Sequence, residues 1–201
     1  MPLSKLKCTA AIILLFFCQE VVSQSDDKSD NKKDKDKKEI KLAYQLTAGY
    51  AVGGQIVDKS ILFESGISFE LITNLRVSPK IYYGLGLGYE RYDSETFLPL
   101  FLSFTGMTKK KDEGTYLSFQ TGYSFAWDND FNSYDNYNYR GGLLFTAGIG
   151  RMFEMKDKYK LLANISLKHQ FVRIDYKPLD SSSYTETINY DMIIIKIGLL
   201  L

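Results

Sequence analysis

IYYGLGLGYERY, running from Ile81 to Tyr92, divides into two faces with a strict period of two. Ile81, Tyr83, Leu85, Leu87 and Tyr89 share one face; Tyr82, Gly84, Gly86, Gly88 and Glu90 share the other. Only a strand has that period. One face is continuously apolar with tyrosines near both ends, while the other is nearly bare glycine ending in a carboxylate. A water-soluble core would not select such a pair of faces. The pattern fits a strand that turns greasy side chains to lipid and small or polar ones to a crowded lumen.

The same alternation recurs on both sides of this stretch. Before it, Leu42, Tyr44, Leu46, Ala48 and Tyr50 oppose Lys41, Gln45, Thr47 and Gly49, and Ile61, Phe63, Ile67, Phe69 and Leu71 oppose Glu64, Gly66, Ser68 and Glu70. After it, Leu98, Leu100, Leu102 and Phe104 oppose Pro99, Phe101 and Ser103, where the missing N–H of Pro99 predicts a bulge. Leu117, Phe119, Thr121, Tyr123, Phe125 and Trp127 then oppose Ser118, Gln120, Gly122 and Ser124. The last three segments set Leu143, Phe145, Ala147, Ile149 and Phe153 against Gly142, Thr146, Gly148 and Gly150; Leu161, Ala163, Ile165, Leu167 and Phe171 against Asn164, Ser166, Lys168 and Gln170; and Ile193, Ile195, Ile197, Leu199 and Leu201 against Ile194, Lys196, Gly198 and Leu200. The expected fold is therefore all-β, an eight-stranded antiparallel up-and-down transmembrane β-barrel over residues 40–201. Each run matches the ~9 to 11 residues of a tilted barrel strand and none reaches the ~20 of a membrane helix.

The connections carry a second signal, because such barrels join strands by short inner turns and longer external loops. External loops are expected near Val52 to Lys59, Tyr92 to Thr96, Asp128 to Tyr139 and Arg173 to Asn189, and inner turns near Thr73 to Lys80, Gly106 to Gly114 and Glu154 to Lys158. Aromatic girdles are expected at Tyr50, Tyr89, Trp127 and Phe171 on one interface and Tyr83, Phe104 and Phe153 on the other.

The 201-residue chain carries a formal net charge of +1, too little to attract nucleic acid. Residues 1–23 read as a cleaved signal peptide: Lys5 and Lys7 precede the apolar run Ala10 to Phe17, and Val21, Val22 and Ser23 form a small-residue exit. Phe16 and Phe17 stand where a lipidated leader would place small residues before Cys18. With Cys8 and Cys18 both in the leader, the mature chain has no thiol. Residues 24–39, QSDDKSDNKKDKDKKE, contain no apolar side chain and mix six lysines with six acids, the composition of a disordered charged linker.

With its leader, eight alternating segments, glycine-rich inner faces and the proline within FLPLFLSF, the chain resembles the small outer-membrane β-barrel proteins of Gram-negative bacteria, the OmpA/OmpX-type group and its porin-like relatives in Bacteroidetes. The resemblance covers residues 40–201 and implies export to the outer membrane. It also implies outer-membrane lipid as surroundings and the barrel-assembly machinery as a partner during biogenesis. The chain departs from the family in ending on Leu201 rather than an aromatic residue.

The chemistry-bearing candidates are few. Glu64, Glu70, Glu90, Lys168 and Lys196 lie on the inner faces, as an internal polar network or, alternatively, as the charged ring of a narrow small-solute channel. His169 is the sole histidine and falls on the outward face beside Phe171. Ser166 is sent to the opposite face, so the nucleophile and base of a membrane-embedded lipid-modifying enzyme do not meet. Asp128, Asp130 and Asn132 begin a calcium-loop spacing that fails at Ser133 and Tyr139, so no metal or cofactor is expected. Asp128, Asp130, Tyr134, Tyr137 and Tyr139 make the third external loop a candidate contact for an extracellular ligand or protein. The expected function is non-enzymatic, structural or surface-interacting through loops 128–139 and 173–189. A soluble lipocalin-like carrier is the remaining alternative, and it requires the large residues inside.

Overall fold

The computed structural model describes residues 41–57, 60–93, 95–108, 114–127, 137–155, 159–176 and 184–201. The leader and the charged segment 24–39 lie outside them. Among the described residues the chain forms eight strands: β1 (Lys41–Val57), β2 (Ser60–Ser78), β3 (Ile81–Tyr92), β4 (Glu95–Met107), β5 (Gly114–Trp127), β6 (Tyr137–Glu154), β7 (Lys160–Tyr176) and β8 (Tyr184–Leu200). Each pairs antiparallel with its neighbour in sequence, and β8 returns to β1, so the sheet closes into a barrel. Leu201 completes the seam by exchanging backbone hydrogen bonds with Tyr44, at 2.7 and 3.1 Å.

Closure leaves each side chain either inside or outside. Leu85, Ile149 and Ile195 are more than half exposed on the outer wall, whereas Glu64 and Lys196 retain 7% and 5% exposure within the lumen. A soluble lipocalin-like cup needs the reverse arrangement. The outer wall is a continuous band of exposed Leu, Ile and Phe, far larger than the few hundred Å² a soluble monomer shows. Tyr50, Tyr89 and Trp127 border the band at one end and Tyr83, Phe104 and Phe153 at the other, all exposed.

Three features differ from the sequence expectation. First, the strands run 12 to 19 residues, longer than a bilayer crossing needs, chiefly at the end away from the termini. Residues 52–57 belong to β1. The expected loops 128–139 and 173–189 shrink likewise, because Tyr137 and Tyr139 pair with Tyr176 and Ile174, and Arg173 with Thr187. The outward face there turns polar, which ended the alternation visible in sequence. The inward face stays apolar through Val172, Ile174, Ile188 and Tyr190, and its packing sustains the ladder. Second, Pro99 makes no bulge. Bridging to β3 lapses at Gly88 and Tyr89 and resumes unchanged, with Leu87 opposite Leu100 and Glu90 opposite Phe97. Register shifts occur instead at Arg76/Ser78 and Tyr139/Gly141.

Third, the interior holds bulky side chains as well as small and ionisable ones. The inner-face glycines explain how they fit. A Cβ on Gly86 would strike the Phe101 ring, and one on Gly150 would strike Tyr116, so each glycine clears space for an aromatic from the adjacent strand. Gly86→Val is expected to cost about 1–3 kcal/mol by overpacking against Phe101. Gly106→Ala, whose methyl meets only the Phe104 ring at 3.6 Å, should stay within about 0.5 kcal/mol of the parent. Urea unfolding of the refolded barrel in detergent micelles, followed by gel mobility, measures both.

Candidate functional site: the polar waist of the lumen

The inner positions of β2, β3, β7 and β8 bring four of the five predicted luminal charges into two ion pairs. Lys196 Nζ on β8 lies 2.5 Å from Glu70 Oε1 on β2, across the closing seam at β1. Glu70 Oε2 also accepts from Thr47 at 3.1 Å and Gln120 at 3.2 Å, and Lys196 approaches Gln120 Oε1 at 3.4 Å. On the other side Lys168 of β7 pairs with Glu90 of β3, and both contact the Tyr92 hydroxyl, at 3.1 and 3.0 Å. All four charged side chains are buried. Burial of ions is tolerable only with such dense hydrogen bonding, because each otherwise forfeits its hydration uncompensated.

Glu64 does not join either pair. It is buried nearer the end away from the termini, and its Oε2 has no hydrogen-bond partner among the described residues. Sequence reading also missed a third polar group: the Tyr190 hydroxyl donates to Glu95, and Gln55 Nε2 donates to Tyr190. Gln55 and Glu95 lie within the loops expected from the sequence, although the period-two run Tyr190, Met192, Ile194, Lys196 points Tyr190 inward.

Apolar layers flank the waist on both sides. Towards the loop end, Tyr92 stacks on Tyr190 with centroids 5.9 Å apart, and Phe97 packs edge-on to Tyr190 at 6.0 Å. Val172, Ile174 and Ile188 complete that layer. Towards the termini, Tyr82, Met107, Tyr116, Met152, Leu162 and Leu200 form the other. The void beside Glu70 and Lys196 is about 20 Å³, room for about one water. Among the described residues, side chains fill much of this interior.

Outside the lumen, His169 Nδ1 lies 2.5 Å from Asp191 Oδ1 on the outer wall, with its ring edge-on to Phe171. Ser166 is buried within the lumen and donates to the Ile194 carbonyl at 3.4 Å. A histidine–carboxylate pair is thus present without that serine. Among the described residues no group of three His, Cys, Asp or Glu side chains is arranged to hold a metal ion. Asp128, Asp130 and Tyr134 lie outside the described residues, while Tyr137 and Tyr139 belong to the first backbone pairs of β6 with β7.

Lys196→Met leaves Glu70 buried without its counter-charge and is expected to destabilise the barrel by about 3–5 kcal/mol. The double change Lys196→Met with Glu70→Leu should recover most of that loss. A double-mutant cycle on urea midpoints measures the coupling, and additive losses would show that the pair does not act as a unit.

No family model matches the chain, and no curated protein matches it in sequence. Among solved structures, the outer membrane protein AlkL, determined by solid-state NMR in DMPC lipid bilayers, aligns over 87% of this chain and 95% of its own, with a TM-score of 0.59 and 11% identity. De novo designed transmembrane β-barrels (TM-score 0.37, 15% identity, 78% of this chain and 92% of theirs) and the outer membrane protease OmpT from Escherichia coli (0.38, 9%, 84% and 98%) align more loosely and carry no argument. The closed eight-stranded antiparallel barrel of this chain is similar in fold to the outer membrane protein AlkL.

Proposed function

We propose that this chain is an integral outer-membrane protein of a Gram-negative bacterium, exported through a cleaved signal peptide, with a non-enzymatic role exercised at its outer rim. The observation that carries the reading is the inversion of the wall: exposed Leu167, Ile197 and Leu102 outside, ion pairs inside. Such a surface is stable only in lipid. The end bearing the termini faces the periplasm, by analogy with the OmpA/OmpX-type and Bacteroidetes porin-like barrels whose patterning the sequence resembles. Outer-membrane lipid and the barrel-assembly machinery are its expected partners.

The side chains that fill the lumen support a structural or adhesive role over transport. Contact with an extracellular ligand or protein is assigned to loops 128–139 and 173–189, of which residues 137–139, 173–176 and 184–189 continue the strand ladder. The charged waist favours a narrow channel as the second reading. In planar bilayers the refolded protein should show negligible steady conductance. Reproducible ion-selective openings altered by Lys168→Met would instead establish the channel. In cells, the protein should remain in the outer membrane after carbonate washing and shift its gel mobility on boiling. Removing Asp130 to Asn136 should preserve that shift while abolishing surface binding; unaltered binding would exclude this segment as the contact.

A further inference from the structure

We propose that the outer wall, just above the aromatic girdle, carries a binding notch for the phosphate of an anionic lipid headgroup, formed by Arg140 and Arg173. The proposal rests on the membrane reading above and adds a ligand to it.

The notch is made by the bulge in β6. Leu144 and Thr146 face inward and Leu143 and Phe145 outward, so unbroken alternation would turn Arg140 into the lumen. The register shifts between Tyr139 and Gly141, and Gly141 adopts φ +77°, the left-handed region, with its backbone against the Ser124 carbonyl. The extra residue is Arg140, and the bulge re-aims it to the exposed face beside Arg173, the register partner of Gly141. Re-aiming one side chain is what a β-bulge accomplishes near functional sites.

Charge in the notch is unbalanced. Arg140 Nε contacts Asp175 Oδ2 at 2.5 Å, which orients the guanidinium while leaving its other donors available. Arg173 makes no ion pair or hydrogen bond among the described residues. Among the described residues, two guanidiniums therefore face outward against one carboxylate. Their planar forks match phosphate oxygens, which can accept from both at once.

The surroundings select a lipid over a free anion. A groove of about 420 Å³ joins the two arginines to Tyr123, Leu143 and Phe171. Below it on the same strands a larger groove of about 700 Å³ is lined by Phe145, Ala147, Leu167 and Ile193, with the His169–Asp191 pair at its polar edge. A cationic groove above an apolar one on β6, β7 and β8 suits one amphiphile: phosphate at the arginines, acyl chain along the strands.

The test uses the full chain refolded into phosphatidylcholine nanodiscs containing a minor fraction of phosphatidic acid, with retained lipid counted by native mass spectrometry. The parent should retain phosphatidic acid preferentially. Arg140→Gln with Arg173→Gln should weaken that retention about tenfold or more, since each lost contact is a charge-assisted hydrogen bond. Arg140→Lys with Arg173→Lys should restore part of it. Equal retention by the parent and the glutamine variant would overturn the notch, as would complete displacement by inorganic phosphate, which would make it a free-anion site. Heat-modified mobility of each sample separates the two layers of inference: an inserted barrel without selective retention sinks the notch alone, whereas a chain that never inserts sinks the membrane reading with it.

Discussion

The hydrogen-bonded seam between β1 and β8 is the constraint from which the other features follow. An open sheet leaves two edges of unpaired N–H and C=O groups, each costing several kcal/mol where water is absent. Closing the sheet removes both edges and assigns every residue to one of two environments. From that point the alternation of side chains decides where charge, glycine and hydrocarbon go. A slip of one residue at the seam would put Lys196 into the outer wall and Ile195 into the lumen, so the register is held by the whole set of inner and outer side chains.

A closed barrel of eight strands leaves an interior just wide enough for side chains. The chain fills it in layers. Apolar and aromatic groups flank two lysine–glutamate pairs at the middle, and Glu64 and the Gln55–Tyr190–Glu95 cluster lie towards the end away from the termini. The aromatic stack of Tyr92, Tyr190 and Phe97 packs directly above the waist, and a low local dielectric there strengthens the ion pairs and makes their completeness more important. Glycines on the inner face are the counterpart of the large groups, giving Phe101 and Tyr116 the volume they occupy.

The outer wall has its own vertical order. Leucine and isoleucine dominate the centre, aromatic residues border them, and above Phe171 the outward positions become Arg173 and Thr187. The strands continue through that change because their inner faces keep packing. The polar end of the barrel away from the termini is thus a continuation of the sheet, and Arg140 and Arg173 are presented from paired strands rather than from connecting segments.

The sequence by itself determined the number of strands, the face each residue occupies and the sign of the interior. Period-two alternation is a local property, and IYYGLGLGYERY states it without reference to any partner. The inward placement of Glu64, Glu70, Glu90, Lys168 and Lys196 was legible for the same reason, and four of the five meet in the waist. Only the tertiary structure decided which lysine meets which carboxylate, since Lys196 and Glu70 are 126 residues apart and meet only through closure and shear. It also decided how far each ladder extends, because inner packing outlasts the outer alternation that marks a strand in sequence. The Tyr190–Glu95–Gln55 cluster was hidden by that difference. The bulge at Arg140 was hidden for another reason: one inserted residue reverses a side chain's direction, and only the register of the neighbouring strand reveals the insertion.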